Sequence, residues 1–156
     1  MQKIVTSLFF QGNAEEALAL YTSIFKNAKV TSRSYYGDHG PEPKGTLMAA
    51  TFTLDGQEFF AINGKAPFNF TEAMSLMVRC EAQTEIDHYW CRLTADGGQE
   101  IQCGWLKDKF GVFWQIVPAK LGEWMKDARR GNAVMTTLVQ MKKLDIATLQ
   151  QAYDNA

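Results

Sequence analysis

The hydrophobic pattern of the first residues predicts a strand followed by a helix. Residues 3–10 are mostly apolar and are followed by Gly12, as is typical of a strand that ends in a turn. Apolar residues then recur at helical spacing from Ala17 to about Phe25. An asparagine just before a helix can accept a hydrogen bond from a free amide of the first turn. We therefore predict a strand and an amphipathic helix that is capped by Asn13.

Three more strands are predicted before residue 64. Residues 29–36 are rich in residues that favour strands, and the glycines and prolines of residues 37–45 predict a loop. Residues 46–54 and 57–63 flank Asp55-Gly56, a dipeptide that readily takes the positive φ angles of a two-residue hairpin turn. The first half is therefore predicted to have the order β-α-β-β-β.

The second half repeats this order. Residues 74–80 predict a strand, and Thr84 is expected to cap a helix that ends near Gly97. Residues 99–106 and 112–117 then predict strands around a polar turn.

Overlaying the two halves supports an internal duplication. When the helices are aligned, residues of similar size coincide: Ala17 with Ile86, Leu20 with Tyr89, Tyr21 with Trp90, and Ile24 with Leu93. When the last strands are aligned, Phe59-Phe60-Ala61-Ile62 falls on Phe113-Trp114-Gln115-Ile116. We predict an α+β fold in which two tandem β-α-β-β-β modules form a cupped mixed sheet around one cavity.

The chain is predicted to be a single domain with three parts. These are module one at residues 1–64, module two at residues 73–118, and a C-terminal helical extension at residues 119–156. In the extension, Asp145 is expected to cap the last helix. Its methionine-rich apolar face is expected to pack on the protein's own core or at a subunit interface, and we expect a homodimer.

Composition narrows the functional classes. The chain has 156 residues, of which 46% are hydrophobic, so a packed core is expected rather than disorder. A formal net charge of −1 argues against nucleic-acid binding as the main activity. No apolar run approaches the roughly 18 residues of a membrane span, and no signal segment is evident, so a cytoplasmic location is expected. The cysteines number 3 and form no CxxC pair, which predicts reduced thiols.

Gln115 is the polar exception in an otherwise apolar strand. It lies between aromatic and β-branched residues and shares one strand face with Phe113 and Val117. A buried amide needs hydrogen-bond partners, so Gln115 indicates either a polar network or a ligand on that face.

Three segments resemble the PhnB-like branch of the glyoxalase/bleomycin-resistance/dioxygenase superfamily, in which proteins are often described as 3-demethylubiquinone 3-methyltransferase-like. They are residues 13–21 (NAEEALALY), residues 54–59 (LDGQEF), and residues 103–118 from Cys-Gly-Trp to Val-Pro. The resemblance covers nearly the whole chain. It implies the vicinal oxygen chelate fold, which is built from paired β-α-β-β-β modules. No glycine-rich loop of the kind that binds S-adenosylmethionine is evident between a strand and a helix.

The resemblance also implies where ligands of a divalent metal would stand. By position these sites fall on Thr6, Ala61, Ser75 and Gln115, and only Gln115 matches the His, Glu or Gln of the superfamily's enzymes. An amide, two hydroxyls and a methyl group supply neither the charge nor the strong donors of a divalent site. We therefore expect no metal and no cofactor.

Other chemically capable residues are expected to have ordinary roles. His39 lies in the glycine and proline loop, and His88 follows Glu85 by three residues on the second helix, a spacing that also suits an exposed polar face. Cys103 has no adjacent histidine to activate its thiol.

The leading hypothesis is a metal-independent protein that binds a small organic molecule. Thr6, Ser75 and Gln115 would supply hydrogen bonds, with Trp105 and Phe113 as apolar walls. The three polar residues are equally consistent with a buried hydrogen-bonded trio that holds no ligand. A metal-dependent lyase or dioxygenase and a drug-sequestering resistance protein are the alternatives. The substrate and any catalytic residue are not specified by the sequence.

Overall fold

The computed structural model describes residues 2–156 and contains two compact units that divide between Phe68 and Asn69. The first unit has a four-stranded mixed sheet with the order β1-β4-β3-β2, in which β1 and β4 are parallel and the other pairs are antiparallel. Its elements are β1 (Thr6–Phe10), α1 (Ala14–Ile24), β2 (Lys29–Tyr35), β3 (Leu47–Leu54) and β4 (Gln57–Asn63).

The second unit has the same topology, with the sheet order β5-β8-β7-β6 and a parallel pair of β5 and β8. Its elements are β5 (Leu76–Cys80), α2 (Gln83–Thr94), β6 (Gln99–Glu100), β7 (Trp105–Lys107) and β8 (Phe113–Pro118), with a short 3-10 turn at Ala95–Gly97. Three helices follow: α3 (Leu121–Trp124), α4 (Ala128–Leu138) and α5 (Ile146–Asp154). The predicted α+β class and the repeated β-α-β-β-β order are confirmed.

The buried faces of α1 and α2 explain why the two halves match. Tyr21 and Ile24 of α1 are buried, and so are Trp90 and Leu93 of α2, which the helix overlay places at the same positions. Each helix therefore covers one face of the sheet in its own unit, where burial of large apolar side chains stabilises the unit. No helix within residues 2–156 is both long and apolar enough to cross a membrane.

The overlay of the last strands was wrong by one residue. Within the first unit Phe59 pairs with Thr6, and within the second unit Trp114 pairs with Leu76; Phe59 and Trp114 are the buried members that face the helices. Phe59 therefore corresponds to Trp114, and Gln115 corresponds to Phe60 rather than to Ala61. A slip of one residue changes the strand face, so the resemblance in composition hid the true register.

The predicted caps of α1 and α2 were wrong, because other side chains accept the hydrogen bonds at the start of these helices. Asn13 makes no side-chain capping hydrogen bond; instead, Oδ1 of Asn63 on β4 accepts from the Ala14 amide at 3.0 Å. Thr84 lies inside the first turn of α2, and the Glu85 carboxylate accepts from the Glu81 amide at 2.7 Å. Asp145 caps α5 as predicted, with its carboxylate 2.7 Å from the Thr148 amide.

The predicted strand at residues 99–106 is divided into β6 and β7. Cys103 and Gly104 both have positive φ angles, of 64° and 81°, which no strand accommodates. Their amides donate to the carbonyl oxygens of Met141 and Lys142 at 2.8 Å each. The C-terminal extension thus binds the backbone at the interruption.

The extension has its own hydrophobic cluster, which includes the last strand of the second sheet. Its buried members are Val117, Trp124, Val134, Leu138, Leu144 and Leu149. The side chain of Gln83 joins α2 to the extension by donating to the Leu144 carbonyl at 3.1 Å and accepting from the Ile146 amide at 2.9 Å. The extension therefore packs on the second unit.

Candidate functional site

Gln115 lies on the face of the second sheet that α2 does not cover, which we call the open face. On the covered face Trp114 and Ile116 are buried, as are Ile86 and Trp90 of α2. Gln115 alternates with these residues along β8 and is only partly buried. As predicted, β8 therefore has two different faces: one is covered by α2, and the other carries Gln115.

The neighbours of Gln115 on the open face are large and apolar. The strand register pairs Gln115 with Trp105 on β7 and with Met77 on β5. Phe113 lies two residues earlier on β8, and Val117 lies two residues later, where the extension's cluster buries it. One polar amide is therefore set among four apolar side chains.

Ser75 is the hydrogen-bond partner of Gln115. The amide nitrogen of Gln115 donates to the Ser75 hydroxyl at 2.8 Å, just before β5 begins. Within residues 2–156 the amide oxygen of Gln115, Oε1, has no hydrogen-bond partner, and no polar side-chain atom is both fully buried and unbonded. The amide therefore keeps hydrogen-bonding capacity that solvent or a ligand can reach.

Asp108, which is not among the predicted site residues, holds the turn between β7 and β8. It is 1% exposed, and its carboxylate accepts from the Phe110 amide at 2.9 Å, the Val112 amide at 3.0 Å and Nε1 of Trp114 at 2.9 Å. An aspartate at the start of a glycine-containing turn is a known sequence signal for such a role. Asp108 fixes the entry of β8 and so the position of Gln115.

Thr6 occupies a different setting from Ser75 and Gln115. It lies in the first unit on the same strand face as Leu8 and Phe10, which are buried, and it pairs with the buried Phe59. In the second unit Gln115 lies on the opposite type of face, away from the helix. The structure thus brings Ser75, Trp105, Phe113 and Gln115 onto one face, while a binding role for Thr6 stays a prediction.

A family model described as 3-demethylubiquinone-9 3-methyltransferase matches residues 2–117. The chain belongs to this family. The whole C-terminal extension, residues 119–156, lies outside the matched range. Ser75, Trp105, Phe113 and Gln115 all lie within it.

One solved structure gives the same result, and a second, at lower identity, shows the same fold. A putative 3-demethylubiquinone-9 3-methyltransferase, a PhnB protein from Bacillus cereus, is 44% identical with a TM-score of 0.69, over 74% of this chain and 99% of that chain. A protein from Pseudomonas aeruginosa is 22% identical with a TM-score of 0.62, over 76% of this chain and 98% of that one. None of the curated proteins compared with the chain matches it.

The fold is shared with a fosfomycin resistance protein. FosX from Listeria monocytogenes, complexed with Mn(II) and sulfate, is 17% identical with a TM-score of 0.54, over 81% of this chain and 98% of that chain. At this identity the likeness shows the fold alone. It agrees with the paired modules of the vicinal oxygen chelate superfamily that the sequence predicts.

The residues of the open face do not fit a divalent metal. Within residues 2–156 no group of three or more His, Cys, Asp or Glu side chains is suited to hold one. The amide nitrogen of Gln115 donates to Ser75. Ala61, one of the two first-module positions in the predicted ligand set, carries only a buried methyl group on the helix-covered face. His39 and His88 are exposed and lie outside the open face. We therefore derive no metal-dependent step.

The cysteines differ in their environments. Burial, with a smaller contribution from Glu85, raises the pKa of the Cys80 thiol to about 12, so the nucleophilic thiolate is scarce at neutral pH. Cys103 packs against the extension's cluster, and Cys91 is exposed on α2. None of them lies beside Gln115 on the open face.

Proposed function

We propose that the open face of the second sheet binds a small organic molecule without the help of a metal. Ser75 and Gln115 supply the hydrogen bonds, and Trp105 and Phe113 supply apolar contact. The observation that carries this proposal is the Gln115 amide, which bonds to Ser75, keeps a polar atom without a protein partner and is surrounded by apolar side chains. Such a mixture of many apolar groups and few polar groups is typical of small-molecule sites.

The family and the fold neighbours fit a small-molecule-binding protein of the glyoxalase/bleomycin-resistance type. The methyl transfer in the family's description and the drug resistance of FosX are activities named for other proteins. The donor set of the open face supports binding through hydrogen bonds and apolar contact. A metal-dependent lyase or dioxygenase has no ligand set within residues 2–156 to support it.

The test is a screen of aromatic fragments by ligand-observed NMR, followed by calorimetry of the hits. We expect replacement of Gln115 by leucine to weaken the hits by about tenfold, because the hydrogen bonds to the amide are lost while the apolar walls remain. The matched control is Gln140→Leu, which makes the same change at an exposed position in the extension. Equal affinity of both variants for every hit would contradict the proposal.

We also propose that the protein is a cytoplasmic homodimer, as the sequence predicts. Met135 and Val139, near the C-terminal end of α4, are 44% and 42% exposed, which supports an apolar contact surface on the extension. Light scattering after gel filtration tests the dimer, and Met135→Lys is expected to shift the mass toward the monomer. A monomeric wild-type protein at about 100 μM would contradict it, since stable dimers persist well below that concentration.

A further inference from the structure

The charges of the second sheet are divided between its two faces. Three charged residues lie in its strands: Arg79 on β5, Glu100 on β6 and Lys107 on β7. Glu100 pairs with Leu106, and its carboxylate accepts from Nε1 of Trp90 on α2 at 2.6 Å, so it belongs to the helix-covered face. Arg79 pairs with Val117 and Lys107 pairs with Phe113, so both belong to the open face. The charged strand residues of the open face are therefore both basic, and none is acidic.

Lys107 is held close to the apolar wall of the site. Its Nζ atom lies 6.0 Å from the centroid of the Phe113 ring, and the residue is partly buried. Ion pairs join other lysines to acids, as in Lys44 with Asp38 and Lys143 with Asp87. Within residues 2–156 no such pair is formed by Lys107 or Arg79.

Asp108 is next to Lys107 in sequence, but its carboxylate is bonded on the other side of the sheet. The Asp108 carboxylate is buried and bonded to two backbone amides and to Trp114, on the helix-covered side of the sheet. The Lys107 ammonium group lies beside the Phe113 ring and forms no ion pair with a described residue, so an approaching anion stabilises it further. The open face therefore favours the binding of a negatively charged group next to its aromatic side chains.

We propose that the ligand of the open face is an aromatic carboxylate. Its carboxylate meets Lys107, with Arg79 adding positive charge along the same face. Its ring lies against Trp105 and Phe113, and a polar substituent reaches Gln115. This inference rests on the proposed function, because it specifies the ligand class of the same site.

Three naphthalene derivatives of similar shape test whether the charge of the ligand determines its affinity. They are 1-naphthoate, 1-naphthamide and 1-naphthylmethylammonium, which present similar rings with negative, neutral and positive groups. We expect calorimetry at low salt to show naphthoate binding about tenfold tighter than the ammonium compound, with the amide between them. Raising the salt concentration is expected to weaken naphthoate binding and to leave the amide unchanged.

A pair of lysine variants assigns the effect to one side chain. Lys107→Met is expected to weaken naphthoate about fivefold and to change the affinity for naphthamide less than twofold. The retained naphthamide binding shows that the variant is folded. Lys109→Met is the matched control, because Lys109 also lies over a phenylalanine ring, with Nζ 5.2 Å from the centroid of Phe110, but in the exposed turn. It is expected to bind all three compounds like the wild type.

Three results would overturn the proposal, and they differ in which other part of it they reject. Equal binding of the three compounds to the wild type, weakened by Gln115→Leu, would reject an anionic ligand and leave the proposed site in place. Binding of none of the three would reject the ligand class, and an empty fragment screen in addition would reject the proposed function. An equal loss of naphthoate affinity in Lys107→Met and Lys109→Met would reject the role of Lys107.

Discussion

At the residue scale, the position of Gln115 depends on the buried carboxylate of Asp108. Asparagine at position 108 would keep an oxygen for the backbone amides but would turn an N–H donor toward Nε1 of Trp114. We expect Asp108→Asn to lower the free energy of unfolding by about 2–3 kcal/mol in urea titrations, because a buried donor loses its partner. Asp38→Asn is the control, since Asp38 pairs with Lys44 at the surface and its change is expected to cost less than about 1 kcal/mol. Equal midpoints for both variants would contradict this role.

The cysteines provide a second prediction at this scale. Alkylation with iodoacetamide at pH 8, followed by peptide mass spectrometry, is expected to modify exposed Cys91 first and to leave Cys80 unmodified. The raised pKa of about 12 leaves roughly one Cys80 thiol in ten thousand as the thiolate at that pH. Adding denaturant is expected to equalise the rates. Labelling of Cys80 as fast as Cys91 in the folded protein would be inconsistent with its burial.

Part of this site was predicted from the sequence. Gln115 was evident as an amide within an apolar strand. Ser75 was placed by the family resemblance, as one of a possible hydrogen-bonded trio with Thr6 and Gln115, and the structure contains the hydrogen bond between Ser75 and Gln115. Asp108 was not predicted because a charged residue in a polar turn is usually exposed. Its burial became evident only from its contact with the buried Trp114. Asn63, not Asn13, caps α1. This contact joins residues that are 49 positions apart, so the local sequence pattern could not predict it.

At the element scale, the interruption between β6 and β7 is the point where the extension attaches. Gly104 and Gly56 both have a φ angle of 81°, but a Cβ atom on Gly104 would lie 2.9 Å from the Ile116 carbonyl oxygen and 2.9 Å from Leu144, whereas Gly56 has nothing within 4 Å. Gly56→Ala is expected to cost about 1 kcal/mol through backbone strain alone. Gly104→Ala is expected to cost roughly 3 kcal/mol, because overpacking is added. Equal losses in chemical unfolding would contradict the steric account.

The attachment of the extension is also expected to depend on pH. The pKa of Asp87 is lowered by its hydrogen bonds to Lys143 and Gln83, and the pKa of Asp145 is lowered by its hydrogen bonds to Thr148. Because both values are lower in the folded state, the stabilisation is present above the ordinary value of 3.8 and is lost as the pH falls through the folded values. Fluorescence of Trp124 in the extension's cluster reports this change.

The variant that tests this dependence is Asp87→Asn/Asp145→Asn. Asparagine caps a helix about as well as aspartate but does not titrate, so stability at neutral pH should be largely kept. Below 3.8, the acid-induced loss is expected to be smaller than in the wild type. Identical acid titrations of the two proteins would show that these carboxylates do not govern the attachment.

At the scale of the whole molecule, duplication was the strongest signal in the sequence. The repeated order of elements predicted both sheets, because the period of apolar residues changes clearly between strands and helices. It did not predict the strand register, since Phe113 and Trp114 are both large aromatic residues and only burial distinguishes them. The division of residues 99–106 was also hidden, because Cys103 adopts a positive φ angle that its residue type does not suggest.

We propose that the second unit of this family member binds a small molecule at Gln115 on its open face. The most direct measurement is a ¹⁵N NMR titration of the wild-type protein with 1-naphthoate, with the side-chain amide of Gln115 and the indole N–H of Trp105 assigned. We expect both signals to shift together with the backbone amides of Ser75 and Phe113, and we expect Gln115→Leu to reduce the shifts. Saturable shifts confined to other residues, such as those around Phe60 or in the extension, would contradict it.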